Sequence, residues 1–333
     1  MRLMKRGTMH VLVACYLLIV MSLTVPTSLA LLSDQKLIRT SGTFTSSEGT
    51  VVSTELIDYY SMTSNDVSSI IGIFKAQGIP EITLRFNAYN EWSSGQPSSS
   101  GVATAKSLIT SANAQSISVN IDSHTWYTTW DSSFRDSASG ASSNRATYIN
   151  YVKALINAFN GYPVKAFMVL NEPQARTASS SENQFILSII SAAKSVTSIP
   201  VSVRFMGGYS PSTGHYSSAI DDATDFLCRN SYWDPRSPST SVYGCSESTM
   251  NGMISAAANR GKELWITEFG KTNSDQENQR AAVEAFVSYS KAKGIDRIYC
   301  WVSKPLGTGE TYNIFSGTRP FTALPAFYKL VND

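Results

Sequence analysis

Seven short apolar runs, spread along the chain from Asp66 onward, constrain the fold more than any other feature. Their hydrophobicity is continuous rather than alternating, which is typical of strands covered on both faces of a parallel sheet. The runs are Glu81–Phe86, Ser116–Ile121, Lys165–Leu170, Val201–Phe205, Asp225–Cys228, Glu263–Thr267 and Arg297–Trp301. We expect a further, first strand between Leu37 and Tyr59, where LIRTSGTF and VVSTELI are the two candidates.

Longer segments with helical periodicity separate these runs. They are Asp66–Gln77, Val102–Ala112, Arg145–Asn160, Glu182–Ser195, Thr249–Arg260, Asp275–Lys293 and Thr322–Val331. Alternating strands and helices predict an α/β fold with a parallel sheet. Eight such units match a (β/α)8 barrel (a TIM barrel), which typically needs about 250 residues. An open doubly wound sheet has the same periodicity and remains the alternative.

The N-terminus has the pattern of a secretory signal peptide. Arg2, Lys5 and Arg6 precede an apolar run from Met9 to Val25, and a proline and small residues follow. The predicted boundaries are residues 1–30 for the signal peptide, 31–50 for a loose lead-in and 51–333 for a single folded domain. An uncleaved membrane anchor is the alternative, because the run is near the lower limit for spanning a bilayer. In either case the domain works outside the cytoplasm.

The composition excludes several classes of protein. A hydrophobic content of 42% and an aromatic content of 11% exclude a disordered chain. The chain has 27 basic and 25 acidic residues, and three of the basic ones lie in the signal peptide, which contains no acid. The near-neutral remainder lacks the basic surface that nucleic acids or anionic membranes select, and it suits an uncharged partner.

The cysteines indicate little about function. Cys15 lies in the signal peptide, Cys228 and Cys245 flank a loop and form a possible disulfide, and Cys300 is expected as a buried free thiol. The absence of a Cys-x-x-Cys motif argues against a cysteine zinc site. Only two histidines remain beyond the signal peptide, so a histidine-rich metal centre is excluded and we expect no metal.

Two glutamates follow apolar runs at corresponding positions. Glu172 stands in Asn171-Glu172-Pro173, and Glu268 stands in Thr267-Glu268-Phe269-Gly270. If these runs are strands four and seven of a barrel, both side chains enter the mouth at the carboxyl ends of the strands. A retaining glycosidase needs two carboxyl groups about 5–5.5 Å apart. For either glutamate alone, a structural role in capping a helix or pairing with an arginine remains the alternative.

The LNEP and TEFG motifs, about a hundred residues apart, resemble those of clan A glycoside hydrolases, most closely glycoside hydrolase family 5. This family includes cellulases, β-mannanases and related endo-β-glycanases. The resemblance covers the chain from about Asp66 to the C-terminus. It implies a (β/α)8 barrel, no cofactor and double displacement with retention of configuration. It makes Glu172 the acid/base and Glu268 the nucleophile.

The resemblance also implies roles for residues around this pair. Arg85 matches an arginine that hydrogen-bonds near the nucleophile, and His124 matches a ligand of the sugar. Asn171 matches the asparagine that binds the 2-hydroxyl group, and Trp301 matches the tryptophan beneath the reacting sugar.

One motif departs from the family pattern. The family usually has His-x-Tyr after strand six, with the tyrosine in contact with the nucleophile. Here Tyr232 matches the tyrosine, but Asn230 stands in place of the histidine. This departure predicts a distant member of the family and weakens any transfer of substrate identity.

Four tryptophans fall in predicted βα loops, where aromatic rings can stack on the apolar faces of sugars. They are Trp92, Trp126, Trp130 and Trp233. The alternative, which we expect for one or two of them, is that they pack the loops onto the barrel.

Taken together, these patterns predict a secreted, monomeric, retaining endo-β-glycosidase that acts on a neutral polysaccharide, with cellulose or another β-1,4-glucan favoured. A β-mannanase or β-1,3-glucanase of the same clan is the closest alternative. A non-catalytic barrel that binds glycans at the cell surface is the alternative from another class.

Overall fold

Eight parallel strands form a closed barrel in chain order, in a computed structural model that describes residues 49–173, 178–272, 274–306, 312–315, 321, 323–328 and 330. The strands are β1 (Val51–Leu56), β2 (Glu81–Phe86), β3 (Ser118–Ser123), β4 (Val164–Asn171), β5 (Val201–Met206), β6 (Leu227–Asn230), β7 (Leu264–Phe269) and β8 (Arg297–Ser303). Because β1 pairs with β8, the barrel closes and the open-sheet alternative is excluded. The first strand of the barrel comes from VVSTELI, and the other candidate, LIRTSGTF, lies outside the described residues.

A helix follows each strand. These helices are α1 (Ser64–Ala76), α2 (Ser99–Ala114), α3 (Ala141–Ala158), α4 (Ser180–Lys194), α5 (Ser218–Ala223), α6 (Glu247–Asn259), α7 (Gln276–Lys293) and α8 (Pro325–Tyr328). The first six predicted helices are confirmed, with ends shifted by a few residues. Of the last, predicted over Thr322–Val331, the structure shows only Pro325–Tyr328 as helix, and part of the predicted range lies outside the described residues. The sequence did not indicate α5, because six residues are too few to establish a helical period.

Capping residues account for two of the helix starts. The Thr63 hydroxyl accepts from the backbone of Asp66 at 3.3 Å, and the Asp66 carboxylate accepts from the backbone of Thr63 at 2.8 Å, which begins α1. Ser179 and Glu182 form the same reciprocal pair at the start of α4. Each pair satisfies backbone N–H groups that a helix start leaves without partners.

The barrel interior is divided into layers along its axis. Near the amino ends of the strands, the buried Glu81 carboxylate pairs with Lys165 at 2.6 Å and Arg297 at 3.0 Å. Above it lies an apolar cluster composed of Ala166, Met168, Phe226, Cys228, Trp265 and Tyr299. The carboxyl ends of the strands carry polar and charged side chains instead, and this is the end at which TIM barrels carry their active sites.

The possible disulfide between Cys228 and Cys245 is not formed, since both are buried free thiols. Cys228 belongs to the apolar cluster inside the barrel, whereas Cys245 packs in the core outside it, where its sulfur lies 2.9 Å from the Ser231 hydroxyl. The two thiols lie in different hydrophobic clusters. Cys300 is a buried free thiol, as expected.

The predicted signal peptide and most of the lead-in lie outside the described residues. No helix within the described ranges combines the length and the apolar character that crossing a membrane requires.

Candidate active site

Glu172 and Glu268 lie at the carboxyl ends of β4 and β7, as the motifs predict. Only 9% of Glu172 and 4% of Glu268 is exposed. Asn230 connects them, because its backbone is in register with Glu268 and its side-chain amide donates to Glu172 Oε1 at 2.9 Å. The Glu172 backbone has φ of 43°, a left-handed conformation that residues with side chains adopt rarely, and such strained residues cluster at active sites.

Both oxygens of Glu268 accept hydrogen bonds from positioned donors. Oε1 accepts from Arg204 at 2.6 Å, and Oε2 accepts from the Tyr232 hydroxyl at 2.5 Å. The contact with Tyr232 is the one that the family resemblance implies. Arg204, in contrast, was not among the predicted site residues.

Arg204 lies at the centre of a buried ion cluster that joins four strands. Its guanidinium also donates to Asp122 Oδ2 of β3 at 2.5 Å and to Glu55 Oε2 of β1 at 2.8 Å. Sequence reasoning missed these three residues: Glu55 and Arg204 are embedded in apolar runs, and Asp122 directly follows one. A charged residue inside a buried strand is itself a signal, since buried charges are paired or hydrogen-bonded.

Arg85 does not have the role that the resemblance implies. Within the described residues, Arg204 and not Arg85 donates to Glu268. The buried guanidinium of Arg85 lies over the rings of Trp301, at 5.0 Å, and Trp126, at 5.9 Å. Its Nε and Nη1 atoms have no hydrogen-bond partner in the described part of the chain. Arg204 occupies the position beside Glu268. The Arg85 guanidinium instead packs on Trp126 and Trp301, which together form an aromatic wall at the carboxyl ends of the strands.

His124 and Asn171 lie next to Trp301 of this wall. The His124 ring stacks on Trp301 with a centroid distance of 5.6 Å, and its Nε2 lies 3.4 Å from the Asn171 amide. Its Nδ1 lies 3.1 Å from Asp122 Oδ2. Burial lowers the pKa of His124 well below its ordinary value, which favours a neutral imidazole beside the mouth.

The predicted tryptophans have different surroundings. Trp126 is 36% exposed and its ring lies 5.2 Å from His124, so it belongs to the mouth. Trp130 and Trp233 are 1% and 3% exposed, and they pack against Phe185 and Tyr289 respectively. Their predicted role in lining a cleft is therefore wrong, because both rings are buried in the hydrophobic core. Trp92 is partly buried against Phe134 in the same core, with ring centroids 5.0 Å apart.

Electrostatics distinguish the two glutamates. Burial raises the pKa of Glu172, and the Asn230 amide partly opposes this. The pKa of Glu268 is raised further, by burial above all; Arg204 opposes this rise, the nearby Glu172 and Glu55 add to it, and the Tyr232 hydroxyl opposes it. Both pKa values are therefore raised, and that of Glu268 more so. The hydrogen-bond donors are what separate the two groups: Glu268 accepts from a cation and a hydroxyl, which favour its ionised form, whereas in the described part of the chain Glu172 accepts from one neutral amide.

One group of side chains in the described ranges has the spacing of metal ligands. Donor atoms of Glu55, Asp122 and His124 lie within 4.8 Å of one another. However, Arg204 already pairs with both carboxylates, so a metal ion would have to displace this cation or bind beside it. This arrangement fits a guanidinium, and we assign no metal to the group.

Neither a protein-family model nor a curated protein matches the sequence. Solved structures do match. Thermotoga maritima Cel5A in complex with cellobiose has a TM-score of 0.61 and 12% identity, covering 84% of this chain and 97% of that one. The endo-1,4-β-D-mannanase of Thermotoga petrophila has a TM-score of 0.61 and 17% identity, covering 84% and 98%. A broad-specificity GH5-4 endoglucanase of Clostridium acetobutylicum has a TM-score of 0.59 and 13% identity, covering 85% and 97%. The chain therefore has the (β/α)8 barrel fold of these endoglucanase and mannanase structures, as the LNEP and TEFG motifs imply.

Proposed function

We propose that the protein is a retaining β-glycosidase in which Glu268 is the nucleophile and Glu172 is the acid/base. One observation carries this proposal: of two carboxyl groups at the mouth, Glu268 accepts hydrogen bonds from a cation and a hydroxyl, whereas Glu172, among the residues that the structure describes, accepts from an amide alone. A nucleophile must be ionised and a general acid must be protonated, so the two environments match the two roles.

The chemistry proceeds in two displacements. Glu268 attacks the anomeric carbon of the sugar, the bond to the leaving oxygen breaks, and Glu172 gives its proton to that oxygen. A covalent glycosyl-enzyme results. Glu172, now ionised, then takes a proton from water, and the hydroxide oxygen attacks the same carbon from the opposite face. Glu268 leaves as a carboxylate, and the product keeps its original configuration.

The substrate that we favour is a neutral β-linked polysaccharide, cellulose or another β-1,4-glucan, cleaved internally. The aromatic wall of Trp126 and Trp301 supports a sugar, whose apolar face can stack on such rings. The near-neutral composition and the Cel5A structure in complex with cellobiose support this choice. A β-mannanase remains the closest alternative, and a structural neighbour is an endo-1,4-β-D-mannanase. A β-1,3-glucanase of the same clan is a further alternative.

We further propose that residues 51–333 form the catalytic domain and that the protein is secreted. The charged start and apolar run of the first thirty residues support secretion. An uncleaved anchor would hold the same domain outside the cell.

A substrate panel tests the proposal. The wild-type protein and Glu268→Ala are incubated with soluble cellulose derivatives, β-mannan and β-1,3-glucan, and reducing ends and product lengths are measured. We expect hydrolysis of one β-glucan by the wild type only, with products whose first anomeric NMR signal is β. An initial α signal contradicts retention. Binding without hydrolysis of any glycan indicates a non-catalytic barrel instead.

A further inference from the structure

We infer that Arg204, anchored by Glu55 and Asp122, is the positioning residue that holds Glu268 as the attacking carboxylate, in place of the β2 arginine that the family resemblance implies. This inference rests on the proposed function, since it gives Arg204 a part in the same reaction. The role comes from β5, a strand that sequence reasoning did not connect with the site.

The contacts of the guanidinium define its orientation. Nη2 lies 2.6 Å from Glu268 Oε1 and 2.8 Å from Glu55 Oε2, while Nη1 lies 2.5 Å from Asp122 Oδ2. A planar guanidinium can donate along several fixed directions at once, which a lysine ammonium on a flexible stem does not reproduce. The two anchors, Glu55 and Asp122, belong to β1 and β3. The barrel therefore fixes the direction of the N–H group that donates to Glu268.

Burial makes this cation effective. Arg204, Glu55 and Asp122 are each 0% exposed. Solvent and salt therefore screen the pairs little, in contrast to ion pairs at the surface. A buried arginine whose partners include two further carboxylates also has little freedom to leave Glu268.

The other charged or titratable groups that face Glu268 do not supply a cation. They are Glu172 after β4, Glu55 on β1 and Tyr232 after β6. Arg85 points its guanidinium at the indole rings instead. Among the described residues, Arg204 is thus the cation in contact with Glu268, and without it the surroundings of this carboxyl are acidic or neutral.

The pH dependence of kcat/KM tests the inference. Attack requires ionised Glu268, and Arg204 lowers the pKa of that group against the opposite effect of burial. In Arg204→Met we expect the acid limb of the kcat/KM profile to move to higher pH by about one pH unit or more. We also expect kcat to fall about 10²-fold. Arg204→Lys should recover part of the shift. Arg85→Met is the matched control, since it removes a buried guanidinium of the same mouth that does not contact Glu268, and it should leave the acid limb in place.

Two further measurements keep the test decisive. The pKa of Glu268, followed by carboxyl carbon-13 NMR and assigned with Glu268→Gln, requires no turnover. A raised pKa in Arg204→Met without any hydrolysis by the wild type would refute the proposed function but support the effect of Arg204. An unchanged pKa in an active enzyme overturns the inference. If Arg204→Met does not fold, Arg204→Lys replaces it: the ammonium keeps the charge but cannot reproduce the fixed contacts with Glu55, Asp122 and Glu268, so the pKa of Glu268 should still rise above the wild-type value. An unchanged or lowered value contradicts the inference.

Discussion

The side-chain amide of Asn230 donates to Glu172 Oε1 at 2.9 Å, while its carbonyl oxygen accepts from the Thr267 hydroxyl at 2.9 Å. The second bond fixes which end of the amide faces the glutamate. In the family pattern that the motifs resemble, a histidine stands at this position. An amide does not titrate, so Glu172 has a neutral donor at every pH.

Replacing Asn230 with alanine should slow catalysis and change its pH dependence. The amide stabilises ionised Glu172, so its loss raises the pKa of Glu172 and moves the basic limb of the rate profile to higher pH. We expect kcat to fall about tenfold, which corresponds to a hydrogen bond of about 1.4 kcal/mol. Asn157→Ala, an exposed position on α3, is the control and should leave both quantities unchanged. A basic limb that stays in place in Asn230→Ala would contradict the role of the amide.

The two catalytic glutamates should differ in how azide rescues their variants. With an activated β-glycoside, Glu268→Ala should lose at least about 10⁴-fold in kcat and form an α-glycosyl azide, because azide attacks the sugar directly. Glu172→Gln should lose about 10²- to 10⁴-fold and form a β-glycosyl azide from the glycosyl-enzyme. NMR of the products distinguishes the anomers. Glu247→Gln, an exposed glutamate on α6, should remain fully active, and exchanged azide products would reverse the two assignments.

Trp126 and Trp130 should respond oppositely to the same substitution. Trp126 is 36% exposed at the mouth, so Trp126→Ala should raise KM about tenfold with little change in Tm. Trp130 is 1% exposed, so Trp130→Ala should cost about 3–5 kcal/mol of unfolding free energy. Thermal melts and steady-state kinetics on both variants check this. Equal loss of stability in the two variants would contradict the assignment of Trp126 to the substrate.

Glu81 should contribute pH-dependent stability at the other end of the barrel. Burial alone would raise its pKa, but Arg297 and Lys165 outweigh that effect and lower it. The contribution of Glu81 to the free energy of unfolding is therefore fully present above the pKa of the unfolded state, about 4.3. It is lost as the pH falls through the lower pKa of the folded state. Glu81→Gln should cost about 3–5 kcal/mol near neutral pH, and the difference from wild type should shrink in acid. Urea unfolding at several pH values measures this. The control is Glu277→Gln at an exposed ion pair, and a pH-independent difference in Glu81→Gln would contradict the prediction.

The thiols offer a direct test of the disulfide correction. Unfolding without reductant should expose Cys228, Cys245 and Cys300 as free thiols in a thiol-counting assay, and a reductant should leave Tm unchanged. The physical reason is that Cys228 and Cys245 lie in separate hydrophobic clusters. A count lower by two thiols, or a reductant-sensitive Tm, would restore the predicted bridge.

Much of the fold was predictable because strands and helices leave periodic signals in the sequence. The seven apolar runs mark seven of the strands, and the Asn-Glu-Pro and Thr-Glu-Phe-Gly motifs mark the ends of β4 and β7. Strand ends matter because a parallel barrel brings them to one face. The positions of Glu172 and Glu268 therefore follow from strand order alone.

What the tertiary structure decided is which side chains meet. The sequence singles out Arg85 and not Arg204, although both lie near the end of a strand, yet Arg204 contacts Glu268 and Arg85 contacts tryptophan rings. Trp126 and Trp130 stand four residues apart, and one faces the mouth while the other packs in the core. The spacing of apolar residues in the sequence indicates which face of a strand or helix is buried, because buried positions recur at the period of that element. Partner choice across the barrel depends on the register and tilt of strands that are distant in sequence, and so it appears only when the barrel closes.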